Sequence, residues 1–307
     1  MLCSCSAKKQ TVLNIGQAEV DNEVFAYFYS EVYAAAEREG ADLLATDVLI
    51  DAAVKKCCEY VASTTLFNTL QLSLSTDNKK NIANLAEAEW MLYGDYYSDA
   101  GISKQTVTKI FEAKEYRTQL LLYYFGEGSE YEVTEDEIEY YFDLSYVAFK
   151  AINGYLTTTD ENGTTVPLSE EEIASLKASF EDKRSKLASG MLFADINDGN
   201  DVESTFSSVS NSAYPEGFLE QVATLGYDKP AVIEAGDYIF LVVRVDAKSG
   251  SDNYYSTYRT KYIEDLRGEM LTDMLVATGE EYGVEKEDNK LDNIADDVVK
   301  ARNERKH

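Results

Sequence analysis

Histidine is almost absent from this chain of 307 residues, because the only one is His307 at the very end. Catalytic triads that pair Ser or Cys with His are therefore excluded, and so is zinc held by histidine. The four cysteines contain no CxxC pair with the spacing of a metal site. Long apolar runs are missing as well, since no stretch approaches the roughly 18 apolar residues of a membrane-spanning helix.

Positive charge is scarce. The chain has 28 Lys and Arg against 56 Asp and Glu, which gives a formal net charge of -28. A field of this sign repels phosphate backbones and anionic lipid headgroups, so nucleic acid is not expected as a partner. It suits a protein that stays soluble in a crowded space, or one that meets basic segments or divalent cations. The length predicts about two domains.

The first residues resemble the end of a removed export signal. Leu2-Cys3-Ser4-Cys5 resembles a bacterial lipobox, in which the last Cys is acylated, and polar residues follow. This predicts an extracytoplasmic protein held at the cell membrane by lipid on Cys5 alone, because two or more acyl chains anchor a protein stably. The alternative is an ordinary cytosolic start with incidental cysteines.

The remaining two cysteines are the neighbours Cys57 and Cys58, which lie in a helical pattern. A disulfide between neighbours would strain that helix, so we expect two free thiols that are buried or half-buried.

Residues from Ile15 to about 125 have the pattern of a helical bundle. The expected N-cap of the first helix is Asp21 or Asn22, and Ser103 is expected to open the fourth. A second helix is expected from Thr46 to about Leu74, where the polar residues 75–78 end it and cap the third. The third helix carries apolar residues on one side, namely Ile82, Leu85, Leu92, Tyr93 and Tyr96.

The middle of the chain is predicted to be α+β. Two capping boxes, Thr134 with Glu137 and Ser169 with Glu172, open helices. The other expected elements are a strand over 146–152, a loop over 153–167, loop-like sequence over 197–217, a short helix over 218–225 and a hairpin of strands 231–234 and 238–245.

A last long helix is expected over 255–278. The apolar side of this helix needs another element to cover it. We therefore expect the helix to pack back onto the N-terminal bundle, which makes the α+β part an insert. The charged tail after Gly283 is predicted to be either a final helix or a frayed end.

Four short motifs occur in a characteristic order. They are Phe-Ala-Tyr-Phe at 25–28, Gly-Ile-Ser at 101–103, Val-Thr-Glu-Asp-Glu-Ile-Glu-Tyr-Tyr-Phe at 133–142 and Gly-Asp-Tyr-Ile-Phe at 236–240. In this order they resemble the extracytoplasmic parvulin-type foldases, the PrsA and SurA families, over residues 15–275. The third motif, the link into the isomerase domain, is the most specific.

The resemblance implies an α+β protein made of a SurA-like helical chaperone module with an inserted parvulin-like domain. The implied parts are a lipoprotein tether over 1–14, a helical chaperone-like module over 15–143, a parvulin-like α+β domain over 144–247, and a C-terminal helix with a charged tail over 248–307 that completes the helical module.

The departures from the family concern the isomerase site, which typically has one His on the first strand and another on the last. Here Tyr238 takes the place of the second, and the first strand has none, its inward side chain being Val147 or Phe149, or else Ala148. A Tyr donates a hydrogen bond but cannot share a proton between two ring nitrogens, so efficient catalysis is not expected. The alternative is an active prolyl isomerase with a histidine-free site around Tyr238 and the pocket near Phe218.

Acidic clusters suggest no cofactor or metal. Residues 135–137 and 170–172 lie in first helical turns, where the helix dipole favours carboxylates. The segment 195–201 resembles a calcium loop but has Phe206 where the terminal Glu would stand, so a turn is favoured.

Tyrosine is abundant, and Tyr27, Tyr29, Tyr96 and Tyr97 lie in the helical module. An ordinary core explains most such residues, but the doublet 96–97 points in two directions on a helix. We therefore expect a tyrosine-lined cradle that binds unfolded or newly exported polypeptide, with a homodimer left open. A solute-binding lipoprotein is disfavoured, because repeated strand-helix alternation is missing.

Overall fold

The chain leaves one folded unit after Val133, forms a second unit, and returns to the first at Ile263. The computed structural model describes residues 9–197, 202–248 and 253–305. The helical unit comprises the residues up to Val133 and those from Ile263 onward, and the α+β unit is Thr134–Tyr262. The predicted α+β class is confirmed.

The helical unit begins with a β-hairpin. Strand β1 is Thr11–Ile15 and β2 is Ala18–Asp21, and Gly16 turns the chain between them at φ 61°, which glycine adopts without steric cost. Val12 and Leu13 are buried. The predicted tether is therefore wrong for residues 11–14. The helical pattern expected from Ile15 begins only after the N-cap Asp21, because strand pairing over residues 11–21 overrides it.

Four helices follow, and their starts agree with the sequence signals. Asp21, Ser75 and Ser103 are the N-caps, and each side chain accepts a hydrogen bond from a backbone N–H of the first turn. The helices are α1 Asn22–Glu39, α2 Thr46–Thr69, α3 Thr76–Asp99 and α4 Lys104–Phe125.

Glu23 of α1 joins the start of α4. Its Oε2 accepts the backbone N–H of Ser103 at 3.1 Å and the hydroxyls of Ser103 and Thr106. Burial alone would raise the pKa of this carboxyl, but these hydrogen bonds and the charge of Lys9 outweigh burial and lower it. Glu23 is thus a buried charge with a complete set of partners.

The α+β unit is built on a four-stranded antiparallel sheet. Its elements are α5 Glu135–Ser145, β3 Tyr146–Tyr155, β4 Thr157–Thr159, β5 Thr165–Pro167, α6 Glu170–Ala188, α7 Phe193–Ile196, β6 Glu203–Ser208, α8 Phe218–Thr224, β7 Pro230–Ala235, β8 Tyr238–Val245 and α9 Tyr254–Thr257. The strand order is β6-β3-β8-β7, and β4 pairs only with β5.

Both capping boxes and the β7–β8 hairpin are confirmed. Strand β6 and the small β4–β5 hairpin correct the two predicted loops. Their sequences are rich in Ser and Thr, so the apolar alternation that marks a strand is weak, and strand pairing decides their structure.

Helices cover both faces of the sheet. Val147 and Phe149 point towards α8, which settles the register left open by the sequence, while Ile152 and Ile239 pack with Phe180 of α6. Both layers of side chains are therefore in a core.

The chain then returns to the helical unit through α10 Arg259–Glu281, β9 Val284–Lys286 and α11 Asp288–Glu304. Strand β9 pairs antiparallel with β1, with Ile15 opposite Val284. Helix α11 packs on α1 and buries Leu291, Ala295 and Val298. The returning helix and the final helix are both confirmed.

Helices α10 and α2 meet at very close range. A Cβ added at Gly279 would lie 2.6 Å from both the Cβ and the carbonyl oxygen of Cys58. Cys57 and Cys58 are free and fully buried, as predicted. Burial raises the pKa of both thiols, that of Cys58 to about 11, so neither is a ready nucleophile.

We predict that Gly279→Ala destabilises the helical unit. Ala normally stabilises a helix interior by about 0.5–1 kcal/mol relative to Gly, but the added methyl would overlap Cys58, and overpacking costs about 1–3 kcal/mol. The free energy of unfolding should fall in urea titrations followed by fluorescence of Trp90, the single Trp, which lies on α3. Asp273→Ala, exposed on the same helix, is the control, and an unchanged or more stable Gly279→Ala protein would contradict the close approach.

Candidate functional site

An open groove runs between α1 and α3. It has a volume of about 880 Å³, and its aromatic and aliphatic wall includes Val32 from α1 with Leu92, Tyr93 and Tyr96 from α3. We call it the α1–α3 groove. Side chains near the C-terminus of α11 also line it.

Helix α3 contributes to this wall because its apolar residues do not all face the core. Ile82 and Ala86 are buried, whereas Leu92 is 74% and Tyr93 is 50% exposed. The apolar side expected from the sequence is thus divided between core and groove. Leu92 and Tyr93 were not among the predicted binding residues, although their place on that apolar side was the available signal.

The floor of the groove is polar. The rings of Tyr27 and Tyr97 stack with centroids 5.7 Å apart, and the Tyr97 hydroxyl donates to Glu89. Lys114 Nζ donates to the Tyr27 hydroxyl at 3.2 Å and to Glu31 Oε1 at 2.8 Å. The floor therefore has two carboxylates around two phenols.

Burial raises the pKa of Tyr27 and of Tyr97, and the charges of Glu31 and Glu89 raise both further. Both phenols stay protonated near neutral pH. They offer neutral hydrogen-bonding groups and no general base.

Three of the four tyrosines predicted to bind polypeptide, Tyr27, Tyr96 and Tyr97, line the groove. The Tyr96 hydroxyl lies 2.6 Å from Ser30 Oγ. Tyr29 is elsewhere: it is 1% exposed, and its ring packs near that of Phe25.

A smaller cavity of about 370 Å³ adjoins the groove and shares Glu31 and Lys56 with it. Phe28, Tyr60 and Arg117 also line it. Tyr60 has a raised pKa, caused first by burial and then by nearby acidic groups, so it too stays protonated near neutral pH.

Arg117 holds three helices together at this cavity. Its Nε donates to Glu59 of α2 at 2.9 Å, and Nη1 donates to Glu264 of α10 at 2.8 Å. Nη2 donates to the carbonyl oxygen of Gly268 and to Thr272 Oγ1, both at 2.9 Å. Every nitrogen of the guanidinium has a partner, so Arg117 serves the structure.

In the α+β unit, Phe218, near which the sequence predicts the isomerase pocket, lies in the core. Phe218 is 0% exposed, and its ring stacks on Phe240 at 4.1 Å and meets Phe149 edge-on at 5.6 Å. Tyr238 is half-buried, with its ring 5.7 Å from that of Phe240 and 5.2 Å from that of Tyr155. The two candidate residues thus belong to one aromatic cluster, in which Phe218 is fully buried.

A shallow cavity of about 380 Å³ lies over the loop before α8, but neither Phe218 nor Tyr238 lines it. Within the described ranges, no group of three or more Asp, Glu, Cys or His side chains is arranged to hold a metal ion. The predicted turn at 195–201 lies partly outside the described residues, and Cys5 lies wholly outside them. Among the helices that the structure describes, none is both long and apolar enough to cross a membrane.

No protein-family model matches this chain, and no curated protein sequence is similar to it. Several solved structures are similar to this chain, and two of them are foldase proteins called PrsA. The foldase protein PrsA from Streptococcus pneumoniae has 12% sequence identity and a TM-score of 0.42, with 94% of this chain and 100% of that chain covered. PrsA from Bacillus subtilis has 11% identity and a TM-score of 0.32, with 96% and 93% covered. Both bear the name of a family that the sequence motifs resemble.

We predict that Arg117→Met lowers the free energy of unfolding of the helical unit by about 1.5–3 kcal/mol, the range for hydrogen bonds to charged groups. Among the described residues, Glu59 then keeps only Lys56 as an ion-pair partner. The side chain of Glu59 is only 11% exposed. Urea unfolding followed by Trp90 fluorescence measures the change.

The matched control is Lys104→Met on the same helix, because Lys104 pairs with the exposed Glu87. Such surface pairs contribute about 0–1 kcal/mol. Equal effects of the two substitutions would show that the Arg117 contacts do not stabilise the unit.

Proposed function

We propose that this protein is a chaperone-like foldase that binds unfolded or newly exported polypeptide, and that the helical unit binds it in the α1–α3 groove. The observation that carries this proposal is the uncovered wall of Leu92 and Tyr93 beside the tyrosines of the groove. An exposed apolar surface of this kind, with a polar floor, is typical of an interaction site.

The groove has the chemistry that a polypeptide requires. Tyrosine is apolar in its body and polar at its tip, so it contacts many side chains without demanding one sequence. The hydroxyls of Tyr27, Tyr96 and Tyr97 lie close to charged or hydroxyl groups and can also form hydrogen bonds with backbone amides. A volume of about 880 Å³ accommodates several side chains of an extended segment.

We further propose that the α+β unit is a weak or inactive isomerase. Phe218 is inaccessible, and Tyr238 stands where the parvulin-type family has histidine. A site that catalyses rotation about X-Pro bonds must lower a barrier of about 18–20 kcal/mol by desolvation and hydrogen bonding. Phe218 is buried against Phe149 and Phe240 and cannot contact a proline.

The proposed location is the outer face of a bacterial membrane, with lipid on Cys5 as the sole membrane contact. The lipobox resemblance and the absence of a spanning helix among the described residues support this placement. It would bring the groove to newly exported chains.

We predict that the double substitution Leu92→Ser with Tyr93→Ser weakens suppression of aggregation about three- to tenfold, since about 1.4 kcal/mol of lost contact energy corresponds to a factor of ten. Both side chains are exposed, so the fold should persist. Light scattering of a chemically unfolded model client, diluted into increasing amounts of protein, measures the effect.

The matched control is Leu44→Ser with Tyr140→Ser, which removes the same side-chain types from exposed positions outside the groove. It should suppress aggregation like the unmodified protein. If the groove variant does so as well, polypeptide binds elsewhere.

For the α+β unit, we predict no acceleration of cis-trans isomerisation of a proline peptide over the uncatalysed rate. A protease-coupled or NMR exchange assay measures the rate. Acceleration that Tyr238→Phe abolishes would instead show a histidine-free isomerase.

A further inference from the structure

Two charged side chains that line the α1–α3 groove have no ion-pair partner among the described residues, and they are opposite in sign. Among the described residues, the other charged groups that line the groove each have a partner: Glu31 with Lys114, Lys56 with Glu59, Arg302 with Glu37 and Arg305 with Asp99. The two that remain are Glu89 and Arg38.

Glu89 is half-buried on α3. Its carboxylate accepts the hydroxyl of Tyr97, and no Lys or Arg of the described chain lies within 4.0 Å of it. Arg38 is exposed in the last turn of α1, where its Nε donates to the carbonyl oxygen of Ala34 at 3.3 Å. Each therefore has charge available for a ligand.

The two charges are separated along the groove. Glu89 accepts the hydroxyl of Tyr97, whose ring stacks on that of Tyr27. Lys114 links the Tyr27 hydroxyl to Glu31 of α1, so Glu89 lies near the level of Glu31. Arg38 follows Glu31 by seven positions, which is about 10 Å at 1.5 Å per residue. An extended chain spans that distance with about three residues at 3.3 Å each.

We propose that the groove prefers polypeptide segments that carry a basic and an acidic side chain about three residues apart, with apolar residues between them. The basic side chain meets Glu89, the acidic one meets Arg38, and the apolar residues contact Leu92 and Tyr93. This inference rests on the proposed function and names its substrate class. The net charge of -28 would by itself attract basic segments without regard to spacing.

The test uses five fluorescein-labelled peptides that share a Leu-Phe centre and differ in the two flanking residues. The pairs are Lys and Glu, Lys and Ser, Ser and Glu, Ser and Ser, and Lys and Lys. Fluorescence anisotropy gives the dissociation constants at low and moderate salt. Each matched charge should improve binding about threefold at low salt, the range of a partly exposed ion pair. The Lys and Glu peptide should therefore bind tightest.

The variants Glu89→Gln and Arg38→Gln show which groove residue recognises which peptide charge. Each removes one charge but keeps a hydrogen-bonding group, the acceptor for Tyr97 in the first and a donor for the Ala34 carbonyl in the second. In Glu89→Gln, replacing the peptide Lys by Ser should no longer change the dissociation constant, while replacing the peptide Glu by Ser should still raise it. Arg38→Gln should show the converse. Asp95→Asn and Lys55→Gln, exposed changes outside the groove, should leave all five affinities in their original order.

Two results overturn the inference: tightest binding of the Lys and Lys peptide, or equal effects of Glu89→Gln and Asp95→Asn. If the Ser and Ser peptide still binds in those cases, the proposed function stands and only the charge preference fails. Failure of every peptide to bind would overturn both.

Discussion

The guanidinium of Arg117 joins helices that lie far apart in the sequence. Its planar fork binds Glu59 of α2 and, 147 positions further along the chain from Arg117, Glu264 of α10. The chain leaves the helical unit after Val133 and returns as α10. The guanidinium holds this returning helix in place through hydrogen bonds to Glu264, Gly268 and Thr272. The contact of Gly279 with Cys58 fixes the same pair of helices at backbone range.

The groove follows from how the remaining helices are arranged around that framework. Helix α1 packs against α2 and α11, while α3 packs mainly against α4, so α1 and α3 face each other without closing. Leu92 and Tyr93 are left uncovered on the wall, and the buried phenols of Tyr27 and Tyr97 form a polar floor. The same arrangement leaves Glu89 and Arg38 without ion-pair partners among the described residues, which is why the groove has a charge pattern of its own.

The α+β unit shows the opposite outcome. Its sheet is covered by α6 on one face and α8 on the other, and large aromatic side chains fill the space between. Phe218 is closed in by Phe240 and Phe149, so the residue nearest to the expected isomerase pocket is part of the core. Binding therefore rests on the helical unit in the proposed mechanism.

The sequence alone determined the starts of the helices, because a cap such as Ser75, Ser103 or Thr134 acts on backbone groups within three residues of itself. It also determined the β7–β8 hairpin and the free thiols. Only the tertiary structure decided the β1–β9 pairing, whose strands come from opposite ends of the chain. The tertiary structure also decided that Tyr29 is buried while Leu92 is exposed. Burial depends on which distant element covers a side chain, and the local sequence pattern does not specify that element.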